Sequence, residues 1–329
     1  MPSFRTGVVT AVLAERAGLQ KVEVDGERAY VLTQLIGTVA VGDRVVVNTT
    51  AVDLGLGTGG WHFVHWNLAR ESFSEPGAGT VMKLRYTSLQ VDTGTAEEDE
   101  APALGSLDGR PVVACSLHSQ VACVAAAFDR AAAPGRRLVY VMTDSAALPL
   151  ALSDLVADLR DRGLLAATVT CGQAFGGDHE AVSVPSALQV AVTMAGADAV
   201  VVGPGPGVVG TGSDYGFGGV EVAAAVDAAA HLGGRPIVAV RYSDADDRNR
   251  HRGVSHHTTT ALALTAHRPW VAVPRGSDGH DGLGEVAEVD VPDDLDFGPT
   301  TSMGRVPAQD PGFFRWAAAA GVLAAQMLR

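Results

Sequence analysis

Ala199-Val200-Val201-Val202-Gly203-Pro204-Gly205-Pro206-Gly207-Val208-Val209-Gly210-Thr211-Gly212, continued after Gly219 by Val222-Ala223-Ala224-Ala225-Val226, is the stretch that decides the fold. Four apolar residues closed off by glycine and proline read as a strand buried on both faces, and the alanine-rich run reads as a helix over 219–232. The same grammar recurs on either side. Residues 112–115, 138–142, 166–170 and 237–240 are further apolar runs, and 119–131, 151–162 and 185–195 are helical stretches between them. Pro185 suits a helix start, and the glycines at 196 and 233–234 suit helix ends. Strand and helix in alternation predict an α/β fold: a Rossmann-like doubly wound, mostly parallel sheet with helices on both faces.

Upstream the pattern changes. Residues 8–13, 21–24, 29–32, 44–47 and 61–66 are short strands separated by turns such as Asp25-Gly26 and Gly42-Asp43, which predicts a small β-rich, barrel-like domain over 1–91. In Trp61-His62-Phe63-Val64-His65-Trp66 both alternating sets carry an aromatic, and His62 and His65 read as ordinary members of an amphipathic strand. Glu97-Glu98-Asp99-Glu100 lies in an acidic linker over 92–109. The α/β domain then occupies 110–290, and 291–329 is a C-terminal extension ending in an Ala-rich helix that is buried or meets a second copy of the chain.

The formal charge of −13 argues against nucleic acid or an anionic membrane surface as partner, so an anion site has to be local. Cys115, Cys123 and Cys171 lack metal-type spacing and read as reduced thiols in a cytoplasmic protein. No segment approaches the apolar length of a membrane span.

The loops are unequal. Those entering each strand are short and plain, such as Pro134-Gly135-Arg136 and Asp161-Arg162-Gly163. Those leaving the strands carry nearly all the chemistry: Ser116-Leu117-His118-Ser119, Thr143-Asp144-Ser145, and the loops 171–180, 203–219 and 241–257. This bias is what a ligand crevice at the carboxyl edge of the sheet produces.

Within those loops the candidates separate by chemistry. Gly203, Gly205, Gly207, Gly210, Thr211 and Gly212 precede a helix, where backbone N–H groups can cradle an anion. Gly205, Gly207 and Gly210 satisfy G-x-G-x-x-G, but the loop is too long and lies too late in the sheet for a dinucleotide fingerprint, and it lacks the lysine of a phosphate-binding P-loop. Arg250-His251-Arg252-Gly253-Val254-Ser255-His256-His257 concentrates three imidazoles and two guanidiniums. Ser255 can cap a helix starting near His256, and the dipole and arginines there favour neutral imidazole. Such rings can bind an anion, move protons or ligate metal, although a metal would need Asp244, Asp246 or Asp247 to offset the positive field. His118 and Asp144 are candidate catalytic groups beside His256 and His257. Asp178 is a candidate ligand-binding acid, and Cys115, close to His118 at a strand end, reads as a packing thiol before it reads as a nucleophile. Cofactor and metal stay open.

The chain also resembles an uncharacterised bacterial family known only by a domain-of-unknown-function label. The resemblance covers nearly its whole length and rests on Met82-Lys83-Leu84-Arg85-Tyr86-Thr87, Ser116-Leu117-His118-Ser119-Gln120, Tyr140-Val141-Met142-Thr143-Asp144, Ala174-Phe175-Gly176-Gly177-Asp178, the glycine-rich loop and residues 248–257. It implies no activity. Arg241-Tyr242-Ser243-Asp244 departs from the more apolar Arg-Ile-Ser-Phe-like start expected there. From the residues themselves, the expected function is an enzyme, a hydrolase or group transferase, acting on a small anionic or phosphorylated metabolite. The alternatives are a metabolite-sensing or scaffold protein and a metal-dependent hydrolase.

Overall fold

The computed structural model describes residues 2–77, 79–98 and 104–329, so the middle of the expected acidic linker, 99–103, lies outside the described residues. The chain divides into two compact units, Met1–Gly94 and Thr95–Arg329.

The first unit is a closed barrel of β1 (Phe4–Arg16), β2 (Leu19–Val24), β3 (Glu27–Leu32), β4 (Arg44–Asn48) and β5 (His62–Asn67), ordered β1-β2-β3-β5-β4. Alternating valines fill it: Val22 and Val24, Val31, and Val45 and Val47 all point inward. Closure depends on β1. Its first residues pair with β4, its later ones pair with β2, and register shifts between Val9 and Ala11 and between Val12 and Ala14 bend it from one partner to the other. In β5, His62 and Val64 are buried while His65 lies edge-on to Phe4. His62 Nε2 is 3.1 Å from Glu27.

The second unit is built on eight strands: β6 (Pro111–Ala114), β7 (Leu138–Thr143), β8 (Ala167–Cys171), β9 (His179–Ala181), β10 (Ala199–Pro204), β11 (Arg235–Ala239), β12 (Trp270–Pro274) and β13 (Glu285–Val289). Their order is β9-β8-β7-β10-β6-β11-β12-β13, and every pairing is parallel. The strands from β6 to β8, β10 and β11 fall where the apolar runs predict them. The sequence reading omits β9, β12 and β13.

Helices cover both faces. On one side lie α1 (His118–Ala131), α2 (Asp154–Asp161) and the C-terminal helix, here α6 (Pro311–Gln326), packed on Val113, Tyr140, Met142 and Val201. On the other lie α3 (Val184–Thr193), α4 (Val222–His231) and α5 (His256–Leu264), packed on Val112, Val139, Val141 and Val200. Successive residues of the central strands thus feed opposite cores, which is why β6, β7 and β10 are buried along their whole length. Helix α6 is a structural layer of this unit: Phe313, Phe314, Trp316 and residues 317–325 are buried by their own chain. Gly321 gives α6 its close seat on α1, since a Cβ there would meet the Val124 carbonyl. Among the described residues no helix is long and apolar enough to cross a membrane.

Candidate functional site

The connection leaving β6 goes to one face of the sheet through α1, while that leaving its neighbour β10 goes to the other through α4. Adjacent strands whose outgoing connections diverge open a crevice at their carboxyl ends. His118, the first residue of α1, reaches across it. Its Nδ1 is 3.0 Å from the Pro204 carbonyl at the end of β10, and its Nε2 is 2.6 Å from Ser153 Oγ. A carbonyl only accepts, so Nδ1 carries the proton and Nε2 accepts from the Ser153 hydroxyl. Tyr140 donates to the same Pro204 carbonyl at 2.9 Å. Burial holds His118 down to about 4, with that carbonyl acting in the opposite direction, so its ring is neutral at pH 7.

The glycine-rich loop splits into two parts with different duties. A Cβ on Gly203 would lie 2.8 Å from the Cys115 carbonyl, and one on Gly205 would lie 2.5 Å from the Ala147 carbonyl. These two glycines let backbone pass backbone. Gly207, at φ +88°, has open space where a Cβ would lie, and Gly210, Thr211 and Gly212 are exposed. Gly210 bridges Phe217 across the loop, and Thr211 Oγ1 bonds to Ser213 and to the Gly216 carbonyl. This outer part leans on the histidine cluster. Phe217 stacks on His257 with ring centroids 3.7 Å apart, and a Cβ on Gly212 would lie 3.9 Å from a terminal nitrogen of Arg250.

The cluster itself is compact. The potential ligand atoms of His251, His256 and His257 all lie within 4.8 Å of one another. Ser255 caps α5 as expected, accepting from the His257 N–H at 3.2 Å, and its Oγ is 2.7 Å from His251 Nδ1. Arginines fix the tautomers. Arg241 donates to His257 Nδ1 at 2.7 Å, and Arg250 Nε donates to His251 Nε2 at 3.3 Å. Two lone pairs are therefore taken by guanidinium N–H groups, and the remaining ring nitrogens, His257 Nε2 and His251 Nδ1, carry the protons. His256 differs: its Nε2 is buried and has no hydrogen-bond partner among the described residues. Burial, reinforced by Arg241, holds His251 and His257 down to about 3. His256 is lowered too, by burial and then by Arg250.

Behind the rings sits a charged network in which Arg241, Arg305 and Asp310, none of them candidates from the sequence, join Asp244 and Asp246. Asp246 is bonded through both oxygens to Arg248 at 2.9 and 2.8 Å, with Arg305 at 3.5 Å and Arg241 at 4.0 Å. Its hydrogen bonds to Arg248 lower its pKa. Asp310, fully buried, accepts from Arg305 at 3.0 Å and from Ser243 at 2.6 Å. Asp244 accepts from the Gly312 N–H at 2.9 Å. Two of the three carboxylates that would offset a metal charge, Asp244 and Asp246, are thus committed to other partners, and the third, Asp247, is exposed.

The remaining candidates separate. Asp144 is exposed and accepts from the Gln173 N–H at 2.9 Å, steadying the turn after β8. Asp178 is bound to Arg160 and to the Thr168 N–H at 2.8 Å, at the start of β8 rather than at its carboxyl end. Arg252 is exposed, and the three cysteines are buried and outside any disulfide, with burial raising the Cys115 thiol far above its ordinary value. Glu221, the last residue of the 3₁₀ turn before α4, accepts from Thr143 and from Ser145 at 2.7 Å, and burial raises its pKa.

The architecture defines a doubly wound α/β protein carrying an N-terminal closed barrel, with its neutral imidazoles and arginines gathered on the loops that follow the strands. Residues 28–289 match the model of a family described as Protein of unknown function (DUF3866), and the chain belongs to that family. No curated protein matches it.

Proposed function

We propose that the chain is an enzyme, a hydrolase or group transferase, acting on a small anionic or phosphorylated metabolite held by the arginine and histidine cluster. The observation that carries this reading is the orphaned Nε2 of His256, a buried ring nitrogen near Arg250, Arg241 and Arg248 that has no hydrogen-bond partner among the described residues. A buried polar atom left unpaired costs about 1–3 kcal/mol, and an anion oxygen accepting from an N–H at this position removes that cost. The guanidiniums supply charge, and the neutral rings supply directed donors and a base.

The closeness of three imidazoles favours a second reading, a metal held by His251, His256 and His257. Against it, binding through His257 or His251 has to displace an arginine N–H or a ring proton. Thermal melting with inorganic phosphate, pyrophosphate and zinc separates the two. A ligand at a hundred times its Kd adds about 2.7 kcal/mol to stability. A phosphate or pyrophosphate shift that disappears in Arg250→Ala supports the anion site. A zinc shift that survives Arg250→Ala and disappears in His256→Ala supports the metal. A wild-type melt unmoved by all three overturns both.

A further inference from the structure

We propose that Ser153 and His118 form a nucleophile and base pair for hydrolysis of a carboxylic ester or thioester, with the Pro204 carbonyl orienting the base. The pair lies outside the arginine and histidine cluster and does not rest on the anion reading.

The geometry has the three parts such chemistry needs: a hydroxyl whose proton is directed at an imidazole, an imidazole of fixed tautomer, and space for an acyl group. The hydrogen bond from Ser153 to His118 Nε2 is 2.6 Å, and the bond from His118 Nδ1 to Pro204 is 3.0 Å. Ser153 is also the cap of α2, accepting from the Val156 N–H at 2.9 Å. Capping uses the oxygen alone. The hydroxyl proton is left over, and it is directed at a histidine from another element across the crevice.

Both residues line a cavity of about 570 Å³ whose wall includes Ser119, Gly207, Thr300, Ser302 and Met303. Its polar side chains are hydroxyls apart from His118 and Asp154, and it has no lysine or arginine, which suits a neutral acyl group. The ring stays neutral at pH 7, so its lone pair is available. None of the three buried thiols competes as nucleophile.

In the first step Ser153 Oγ attacks the acyl carbon while its proton passes to His118 Nε2. The resulting oxyanion forms near the N-terminal end of α2, where first-turn N–H groups lack intrahelical acceptors. The carbon–oxygen or carbon–sulfur bond then breaks, and the leaving group takes the proton from the imidazolium. Water, deprotonated by the same Nε2, attacks the acyl-serine and releases the acid, which restores Ser153. Gly207 in the cavity wall and Gly210 beside His257 are three residues apart, at most roughly 11 Å. A single substrate with its acyl end in the cavity and an anionic leaving group at the arginines fits that span.

The test uses the full chain and an alkyl fluorophosphonate. Peptide mapping of the labelled wild type is expected to find one adduct, on Ser153, formed with loss of fluoride. Hydrolysis of p-nitrophenyl acetate is expected to fall about a hundredfold or more in Ser153→Asn, which retains a capping oxygen, and in His118→Gln. A wild type with no adduct on Ser153, or a folded Ser153→Asn with ester turnover within about threefold of wild type, overturns the proposal. If Ser153→Asn fails to fold, the wild-type peptide map decides. A phosphate or pyrophosphate melt shift in the wild type reports on the anion site separately, so either reading can fail alone.

Discussion

Arg241 donates to His257 Nδ1 at 2.7 Å, and both side chains are buried. One hydrogen bond thus sets which nitrogen of the ring bears the proton and places a cation against it, lowering the guanidinium itself to about 10 through burial. In Arg241→Met the donor and the charge both go. The His257 titration, followed by NMR of the ring carbons, is expected to move upward from about 3 toward the ordinary imidazole value. An unchanged titration would mean that burial alone sets it.

The depressed rings make stability depend on pH. His118 titrates at about 4 and His251 and His257 at about 3 in the folded chain, against roughly 6.5 in the unfolded one. Below pH 6.5 the unfolded chain binds more protons, so stability rises with pH through this window and is lost as the pH falls. Each ring contributes at most about 2 kcal/mol of loss by pH 5. Urea midpoints are expected to be flat above pH 7 and to drop between pH 6.5 and 4, less steeply in His118→Asn or His257→Asn.

Asp246→Asn removes the carboxylate that holds Arg248, Arg305 and Arg241 together. Leaving buried positive charge uncompensated costs about 3–5 kcal/mol. Equilibrium urea unfolding is the measurement, and a loss below 1 kcal/mol would show that solvent reaches the cluster.

Two glycines of one loop are expected to behave oppositely. Gly205→Ala drives a methyl to 2.5 Å from the Ala147 carbonyl and 3.1 Å from Met142, an overpacking worth about 1–3 kcal/mol. Gly212→Ala meets nothing nearer than Arg250 at 3.9 Å and is expected to stay within about 0.5 kcal/mol of wild type. Paired thermal melts read the contrast.

The three thiols are expected to resist modification. Cys115, Cys123 and Cys171 are buried, and burial raises the first two well above the ordinary thiol range. A disulfide-exchange reagent is expected to titrate none in the native chain and three in urea.

Local grammar made most of the frame legible. Residues 199–204 form a strand because nothing in Ala-Val-Val-Val belongs at a surface. The edge strands were harder: β13, Glu-Val-Ala-Glu-Val, carries charge, as suits the exposed side of a sheet, and β9 has only three residues. Ser153 was hidden inside an expected helix over 151–162. The chain makes a 3₁₀ turn over Leu150–Leu152 first, and the Ser-Asp start of α2 was the available signal. The histidine run and its cap on Ser255 are adjacent in sequence and were readable. Arg241, Asp246 and Arg305 meet only through the fold, and Asp178 was misplaced because the loop after β8 doubles back to the start of that strand.

The seat of α6 on α1 has a kinetic consequence. Helix α1, which carries His118, finds its cover some 190 residues further along the chain. Contacts of such high sequence separation form late and slow folding. During synthesis the first half of the sheet emerges with the Val124 side of α1 bare, a surface open to aggregation until α6 arrives. A pulse-labelling hydrogen-exchange experiment on refolding protein is expected to find the amides of α1 and α6 gaining protection together, after those of the barrel.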